Sequence, residues 1–184
     1  MRYPLPELAW MSDGFPYAPA SNRSSILVLA GDPDADAAWD TGVGFALDAV
    51  SRGGLGVVVD ATASNPTPEG LVGMYVSRLE FVGTLVESME WVLGDVLVLH
   101  SLDAWPDWSL RVVMEGLRWA SDACGLTVVI HTKVTGMGTV FGGDQLGKVV
   151  DATLWVREGS GCEYLWGRGL YEMRGEGSER DGGE

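Results

Sequence analysis

The chain has 184 residues, of which 46% are hydrophobic and 21% are charged, a composition typical of a globular domain and unlike that of a disordered segment. No apolar run approaches the ~20 residues of a membrane span, and the first residues lack the basic-then-apolar order of a signal peptide. Acidic residues outnumber basic ones 26 to 12, and the net charge of -14 excludes a protein that grips nucleic acid over a broad basic surface.

Three regions differ in composition. Residues 1–23 contain four prolines and several aromatic residues without periodicity, which indicates an extended arm against the core or a neighbouring subunit and hence a homo-oligomer. Residues 24–174 form the predicted core, and residues 175–184 form a Gly-rich, charged tail that we expect to be disordered. Two cysteines are too few for a disulfide framework, so we expect a cytoplasmic protein without membrane contact.

Short apolar runs alternate with amphipathic segments along the core. The runs predict strands, which are residues 24–32, 55–64, 94–105, 126–134, 149–158 and 162–174. Helical spacing predicts helices over residues 37–52 and 108–124 and a mixed segment over 71–92, with Trp39, Trp91 and Trp119 on apolar helix faces. This order predicts an α/β fold with a mainly parallel sheet flanked by helices, and the short link before the last strand predicts an antiparallel hairpin at the C-terminal edge.

Polar residues collect where the predicted strands end. In an open parallel sheet, ligands bind beyond the carboxyl ends of the strands, so these residues are the candidates for function. They are Asp32, Asp34, Asp36, Asp60, His100, Asp103, His131 and Lys133. Both histidines of the chain are therefore expected at one edge of the sheet.

The same edge carries a family resemblance. The order strand-GDPDADAAWD-helix, VVVDATASNPTPEG, GDVLVLHSLDAW and GLTVVIHTKVTGMGTVFGGDQLGKVVDATLWV resembles the ATPase core of the RecA/RadA recombinase family over about residues 24–174. The last block looks like the family's end-of-core strands with the DNA-binding loop between them. The resemblance implies a RecA-like core, a role in DNA recombination or repair, and assembly into rings or filaments.

The phosphate-binding loop departs from that family. Such a loop needs G-x-x-x-x-G-K-[ST], with glycines for close backbone approach, a lysine for the phosphates and a hydroxyl for magnesium. Gly31 matches the first position, but Asp36, Ala37 and Ala38 occupy the positions of the second glycine, the lysine and the hydroxyl. His100 stands where the family has its metal-orienting aspartate. We therefore expect neither ATP hydrolysis nor a conventional nucleotide site.

A metal-dependent nuclease is the favoured hypothesis for this edge, with branched or junction DNA as the substrate. Carboxylates are ligands for Mg²⁺ or Mn²⁺, which activate water and hold a scissile phosphate, and an imidazole acts as general base near neutral pH. The predicted catalytic residues are Asp60, His100, Asp103 and His131. The predicted metal ligands are Asp32, Asp34, Asp36, Asp60 and Asp103. The predicted DNA-binding residues are Lys133, Thr135, Gly136, Gly138 and Lys148.

Structural explanations exist for several of these residues. Asp36 suits a helix N-cap, Asp103 suits a turn, the histidines suit satisfied structural roles, and the lysines suit a solvated surface. The rival functions are a non-catalytic RecA-family pseudo-ATPase that binds DNA or a partner recombinase, and a module that binds nucleotide for regulation without hydrolysis. A core of this kind without accessory domains also suits a compact viral genome.

Overall fold

The computed structural model describes residues 26–31, 36–61, 66–78, 82, 84–86, 91, 95–105, 110–134, 146, 149–157 and 161–167. The predicted arm at residues 1–23 and the predicted tail at 175–184 lie outside the described residues. The described elements, in chain order, are β1 (Ile26–Gly31), α1 (Ala37–Ser51), β2 (Gly56–Asp60), β3 (Val72–Tyr75), β4 (Val96–His100), a 3-10 turn (Leu102–Ala104), α2 (Leu110–Cys124), β5 (Thr127–Lys133), β6 (Ala152–Arg157) and β7 (Gly161–Gly167).

The strands form one sheet in the order β3-β2-β4-β5-β1-β6-β7. Every neighbouring pair from β3 to β6 is parallel. The predicted α/β fold with a mainly parallel sheet is therefore confirmed. β7 lies antiparallel to β6, but the link at residues 158–160 is outside the described part of the chain, so the hairpin itself remains a prediction.

The two faces of the sheet bury different side chains, because successive residues of a strand point to opposite sides. The helix α2 covers one face of the sheet. Its side chains Leu110, Val113, Met114 and Leu117 pack there with sheet residues such as Val59. Ala38, Ala46 and Ala49 of α1 cover the other face, where the sheet contributes its own apolar residues. Those sheet residues include Leu29, Val58, Val98 and Val129. Burial on both faces explains why the central strands are continuous apolar runs in the sequence.

Glycine lets α1 lie close to the sheet. A Cβ atom added to Gly56 would lie 2.8 Å from the backbone oxygen of Ala46, a contact that neither backbone can easily relieve. α1 ends at Ser51, and just beyond it Gly53 has a φ of +86° and the Gly54 N–H donates to the Ala49 carbonyl oxygen at 2.9 Å. The position of α1, and of the side chains in its first turn, is therefore set by backbone packing.

The segment predicted as mixed contains the exposed edge strand β3 and helical residues at 82 and 84–86, which a mixed segment allows. One prediction along the chain needs correction. Trp119 is not on an apolar helix face, because its side chain is 63% exposed on the outside of α2. Within the described residues, neither helix is long and apolar enough to cross a bilayer.

Candidate functional site

Three neighbouring strands bring polar side chains to one place. Asp60 pairs in register with His100, and Leu99 pairs with Ile130, so His131 follows beside His100. Each of the three polar residues lies two positions after a valine that packs under α1, which puts all three on the face that α1 covers. We call Asp60, His100, Ser101, His131 and Trp39 the histidine cluster.

The two imidazole rings of the cluster are stacked. The ring centroids of His100 and His131 are 4.7 Å apart and their planes differ by 8°. Trp39, in the first turn of α1, meets the His100 ring edge-on with centroids 4.2 Å apart. Trp39 lies on the apolar face of α1, as predicted, and packs partly buried against the core. Its place in the first turn of α1 also puts it at the carboxyl ends of the strands, beside the His100 ring.

Asp60 and His100 form a buried carboxylate–imidazole pair. The Nδ1 atom of His100 lies 3.2 Å from Oδ1 of Asp60, and the two residues are 5% and 8% exposed. The Oγ atom of Ser101 lies 3.1 Å from the same Nδ1 atom. The carboxylate therefore fixes the orientation of the His100 ring, a role that carboxylates often have beside functional histidines.

His131 is held in its neutral form. The Ser101 backbone N–H donates to Nδ1 of His131 at an N···N distance of 3.3 Å, which places the proton of the neutral ring on Nε2. Burial, followed by the nearby His100, lowers the pKa of His131 to about 4, although Asp103 and Asp60 act in the opposite direction. Ser101 reaches this position through a left-handed backbone with φ of 57°, which is uncommon for a residue other than glycine.

Asp103 and Lys133 form an ion pair beside the cluster. Oδ2 of Asp103 lies 3.0 Å from Nζ of Lys133, and the two side chains are 21% and 46% exposed. The other carboxylate oxygen, Oδ1, is buried and has no hydrogen-bond partner among the described residues. A residue predicted to hold metal is thus paired with one predicted to hold DNA.

The acidic loop after β1 is described only at its end. Asp36 is exposed at the N-cap of α1 but makes no side-chain capping bond, so it occupies the predicted cap position without the predicted contact. Burial, with the charge of Asp36, raises the pKa of Asp40. Asp32 and Asp34 lie outside the described residues, and within those residues no three His, Cys, Asp or Glu side chains are arranged to hold a metal ion. The Mg²⁺ or Mn²⁺ site remains a prediction.

The predicted DNA-binding loop falls mostly outside the described part of the chain. This applies to Thr135, Gly136, Gly138 and Lys148, whereas Lys133 is described at the end of β5. The Lys133 side chain is partly exposed, and its ammonium group is paired with Asp103. DNA binding through this loop therefore remains a prediction.

A pocket of about 160 Å³ opens beside the cluster, and sequence reasoning missed it. Its described lining consists of Trp39, Val58, Asp60, Pro66, Thr67, Gly73, Met74 and Tyr75. Thr67 packs over Gly73, where an added Cβ would collide with the threonine side chain. Three of the lining residues, Gly73, Met74 and Tyr75, belong to β3, whose four residues are all exposed and carry no pattern from which the pocket could be predicted.

The arrangement combines a carboxylate–imidazole pair, a neutral second imidazole, a separate ion pair and an aromatic pocket at one edge of the sheet. Chemically it can accept hydrogen bonds, transfer a proton through the Asp60–His100 pair, or bind a small group beside Trp39. No protein-family model matches the sequence, and no curated protein matches it.

Proposed function

We propose that this protein is a non-catalytic RecA-like module of DNA recombination or repair that acts by binding a partner protein. The observation that carries the proposal is the pairing of the two predicted metal-binding carboxylates with neighbouring basic side chains. Asp60 contacts His100 at 3.2 Å and Asp103 contacts Lys133 at 3.0 Å. The mainly parallel sheet is compatible with the RecA/RadA resemblance of the sequence.

A metal-dependent nuclease needs carboxylates that converge on the ion, because Mg²⁺ is held directly by one or two carboxylates and the substrate phosphate. The pairing seen here works against that arrangement. The Lys133 ammonium group occupies one oxygen of Asp103, and its positive charge weakens the attraction of that carboxylate for a cation. The pairs thus favour a structural role for both aspartates.

The start of α1 supports the loss of ATP hydrolysis. Ala37, which stands at the position of the phosphate-binding lysine, is the first residue of α1 and offers no charge to a phosphate. Asp36 directly before it is exposed, and its carboxylate would repel a triphosphate at the helix N-terminus. These residues therefore favour a protein that acts by binding a partner and neither binds nor hydrolyses ATP.

A nuclease is the second candidate, and one observation favours it. The Asp60–His100 pair has the composition of a general base, in which a carboxylate orients an imidazole that takes a proton from water. In this alternative, Asp32 and Asp34 would join Asp60 in holding Mg²⁺ or Mn²⁺. The two candidates differ in whether DNA is cut.

A cleavage assay separates them. Purified protein is incubated with labelled single-stranded, duplex and four-way-junction DNA in Mg²⁺, Mn²⁺ or chelator, without ATP. We expect no cleavage of any substrate and no micromolar binding of a fluorescent ATP analogue. Metal-dependent cleavage that disappears in Asp60→Asn, while the variant keeps the wild-type melting temperature, would replace the binding proposal with the nuclease.

A capture experiment tests the positive half of the proposal. Tagged protein is used to recover partners from cells of the organism that encodes the chain, and each partner is then purified and tested for direct binding. We expect a recombination or repair protein that binds the purified chain without DNA. Recovery of no such protein, with DNA as the bound component instead, would contradict the proposal.

A further inference from the structure

We propose that the solvent-exposed side of α2 binds the same side of a second copy of this chain, with the two helices antiparallel. This surface lies on the face of the sheet opposite the histidine cluster, so the inference goes beyond the proposed function and does not depend on it. The exposed apolar side chains of α2 and the charges beside them specify the same pairing of the two helices.

Large apolar side chains are exposed on the outside of α2. Val112 is 73% exposed and Trp119 is 63% exposed. Residues three or four positions apart share one side of a helix, so Val112, Gly116 and Trp119 lie in one row, which we call the outer strip. A Cβ atom added to Gly116 would lie in open space, so the strip has a gap between its two large side chains. Tryptophan is among the residues most enriched at the centre of protein interfaces, which favours an interface here.

The gap at Gly116 fits the Trp119 side chain of an antiparallel second copy. A two-fold axis at the level between residues 116 and 117 places Trp119 of each helix opposite the level midway between Val112 and Gly116 of the other, because every residue adds the same rise of about 1.5 Å. Each indole ring then fills the gap and packs on the facing Val112. Insertion of one side chain between neighbouring residues of a facing helix is the usual geometry of helix packing.

The charges beside the outer strip complement each other in this same pairing. In chain order they are Arg111, Glu115, Arg118 and Asp122, so positive and negative charges alternate. The two-fold axis puts the same flank of both helices on one side of the contact. Arg111 then opposes Asp122 of the second copy, and Glu115 opposes Arg118. Parallel helices would put these flanks on opposite sides of the contact, where they could not pair.

Arg111 and Asp122 are the accessible members of this charged row. Their side chains are 77% and 63% exposed, whereas the Arg118 side chain is only 16% exposed and also contacts Asp151. Arg111 and Asp122 each make an ion pair within their own helix, and exposed pairs of that kind contribute little. A second copy adds an opposite charge to each of them without displacing the first, so the pairs between copies set the orientation of the dimer.

Analytical ultracentrifugation of the full chain tests the contact. In about 0.15 M sodium chloride the screening length is about 8 Å, so the net charge of -14 on each copy is largely screened. We expect a reversible monomer–dimer equilibrium in the micromolar range, because a contact through one helix is small. Trp119→Ala should weaken dimerisation about tenfold or more.

Gly116→Leu distinguishes the specific packing from general association of apolar surfaces. The leucine side chain has open space on its own helix, but it fills the gap that Trp119 of the second copy needs. We expect dimerisation to weaken about tenfold or more, whereas general association would strengthen with an added apolar side chain. Val72→Ala changes an exposed apolar residue of the edge strand β3 and is the control. Circular dichroism and thermal melting check that each variant is folded.

Arg111→Glu and Asp122→Arg test the antiparallel order. Either variant alone places like charges opposite each other at both contacts between copies, so each should dimerise more weakly than the wild type. A mixture of the two variants restores opposite charges at both contacts. The mixture should therefore form a heterodimer that is tighter than either homodimer, although the charges within each helix are unchanged by mixing.

Each remaining outcome would overturn the inference. A chain that stays monomeric into the millimolar range has no such contact, and a dimer that persists in Trp119→Ala and Gly116→Leu is held by another surface. A mixture that associates no better than the separate variants would exclude the antiparallel pairing. If the chain is monomeric and a captured partner is lost in Trp119→Ala, the outer strip binds that partner, so the proposed function stands and the second copy fails.

Discussion

Replacing His131 should remove a large part of the pH dependence of stability. Burial and the neighbouring His100 lower the pKa of His131 from 6.5 to about 4 in the folded protein. The unfolded chain therefore binds a proton between these pH values that the folded chain does not, so stability is full above pH 6.5 and falls as the pH drops towards 4. The shift corresponds to about 3 kcal/mol in total, of which about 2 kcal/mol is lost between pH 7 and pH 5.

The test compares wild type with His131→Asn in urea unfolding followed by tryptophan fluorescence at pH 7 and pH 5. Asparagine offers an oxygen to the Ser101 N–H but does not titrate, so the other acidic groups contribute the same slope to both proteins. We expect the wild type to lose about 2 kcal/mol more than the variant over this interval. Equal losses in the two proteins would show that His131 is not buried in its neutral form and would refute the stacked arrangement.

Three further predictions concern packing and charge. Gly56→Ala should lower the unfolding free energy by about 1–3 kcal/mol, because the added Cβ would meet the Ala46 carbonyl. Gly116→Ala, on the open face of α2, should raise the unfolding free energy by about 0.5–1 kcal/mol. Urea unfolding that gives changes of the same sign for both variants would contradict this packing. Lys133→Met should lower the unfolding free energy by at most about 1 kcal/mol, since the Lys133 side chain is 46% exposed, and this cost should shrink in high salt. A larger cost, measured by urea unfolding over a salt series, would mean that Asp103 depends on this pair more than its exposure indicates. Added salt should raise the melting temperature of the wild type, because the net charge of -14 repels itself in the folded state; a melting temperature that falls in sodium chloride would contradict this.

Much of the sheet could be predicted because burial leaves a clear pattern in the sequence. The apolar runs that form β1, β2, β4 and β5 lie at the centre of the sheet, where both faces are covered. Asp60, His100 and His131 were placed at one edge for the same reason, since parallel strands end together. The edge strand β3 was not predicted as a strand, because its four residues are exposed and form no buried apolar run in the sequence.

The internal order of the site could not be predicted from the sequence. The stacking of the two imidazole rings depends on strand register, and continuous apolar runs buried on both faces carry no alternation that would specify it. The proton position on His131 depends on the Ser101 backbone N–H, and that N–H points there only because Ser101 is left-handed. The role of Trp39 depends on how closely α1 approaches the sheet at Gly56, a contact between distant residues.

The turn at Ser101 also determines what connects β4 and β5 beyond the end of their backbone ladder. The ladder between β4 and β5 ends at Leu99 and Ile130, while β5 stays paired with β1 as far as Lys133. Beyond Leu99 the two strands are joined instead by the Ser101 N–H on His131 and by the Asp103–Lys133 pair. A protonated His131 ring has no acceptor at Nδ1, so acidification breaks the hydrogen bond from the Ser101 N–H without breaking any bond of the backbone ladder. The Ser101 amide is thus a local reporter of the cluster, and its hydrogen-exchange protection should disappear before that of its neighbours in β4.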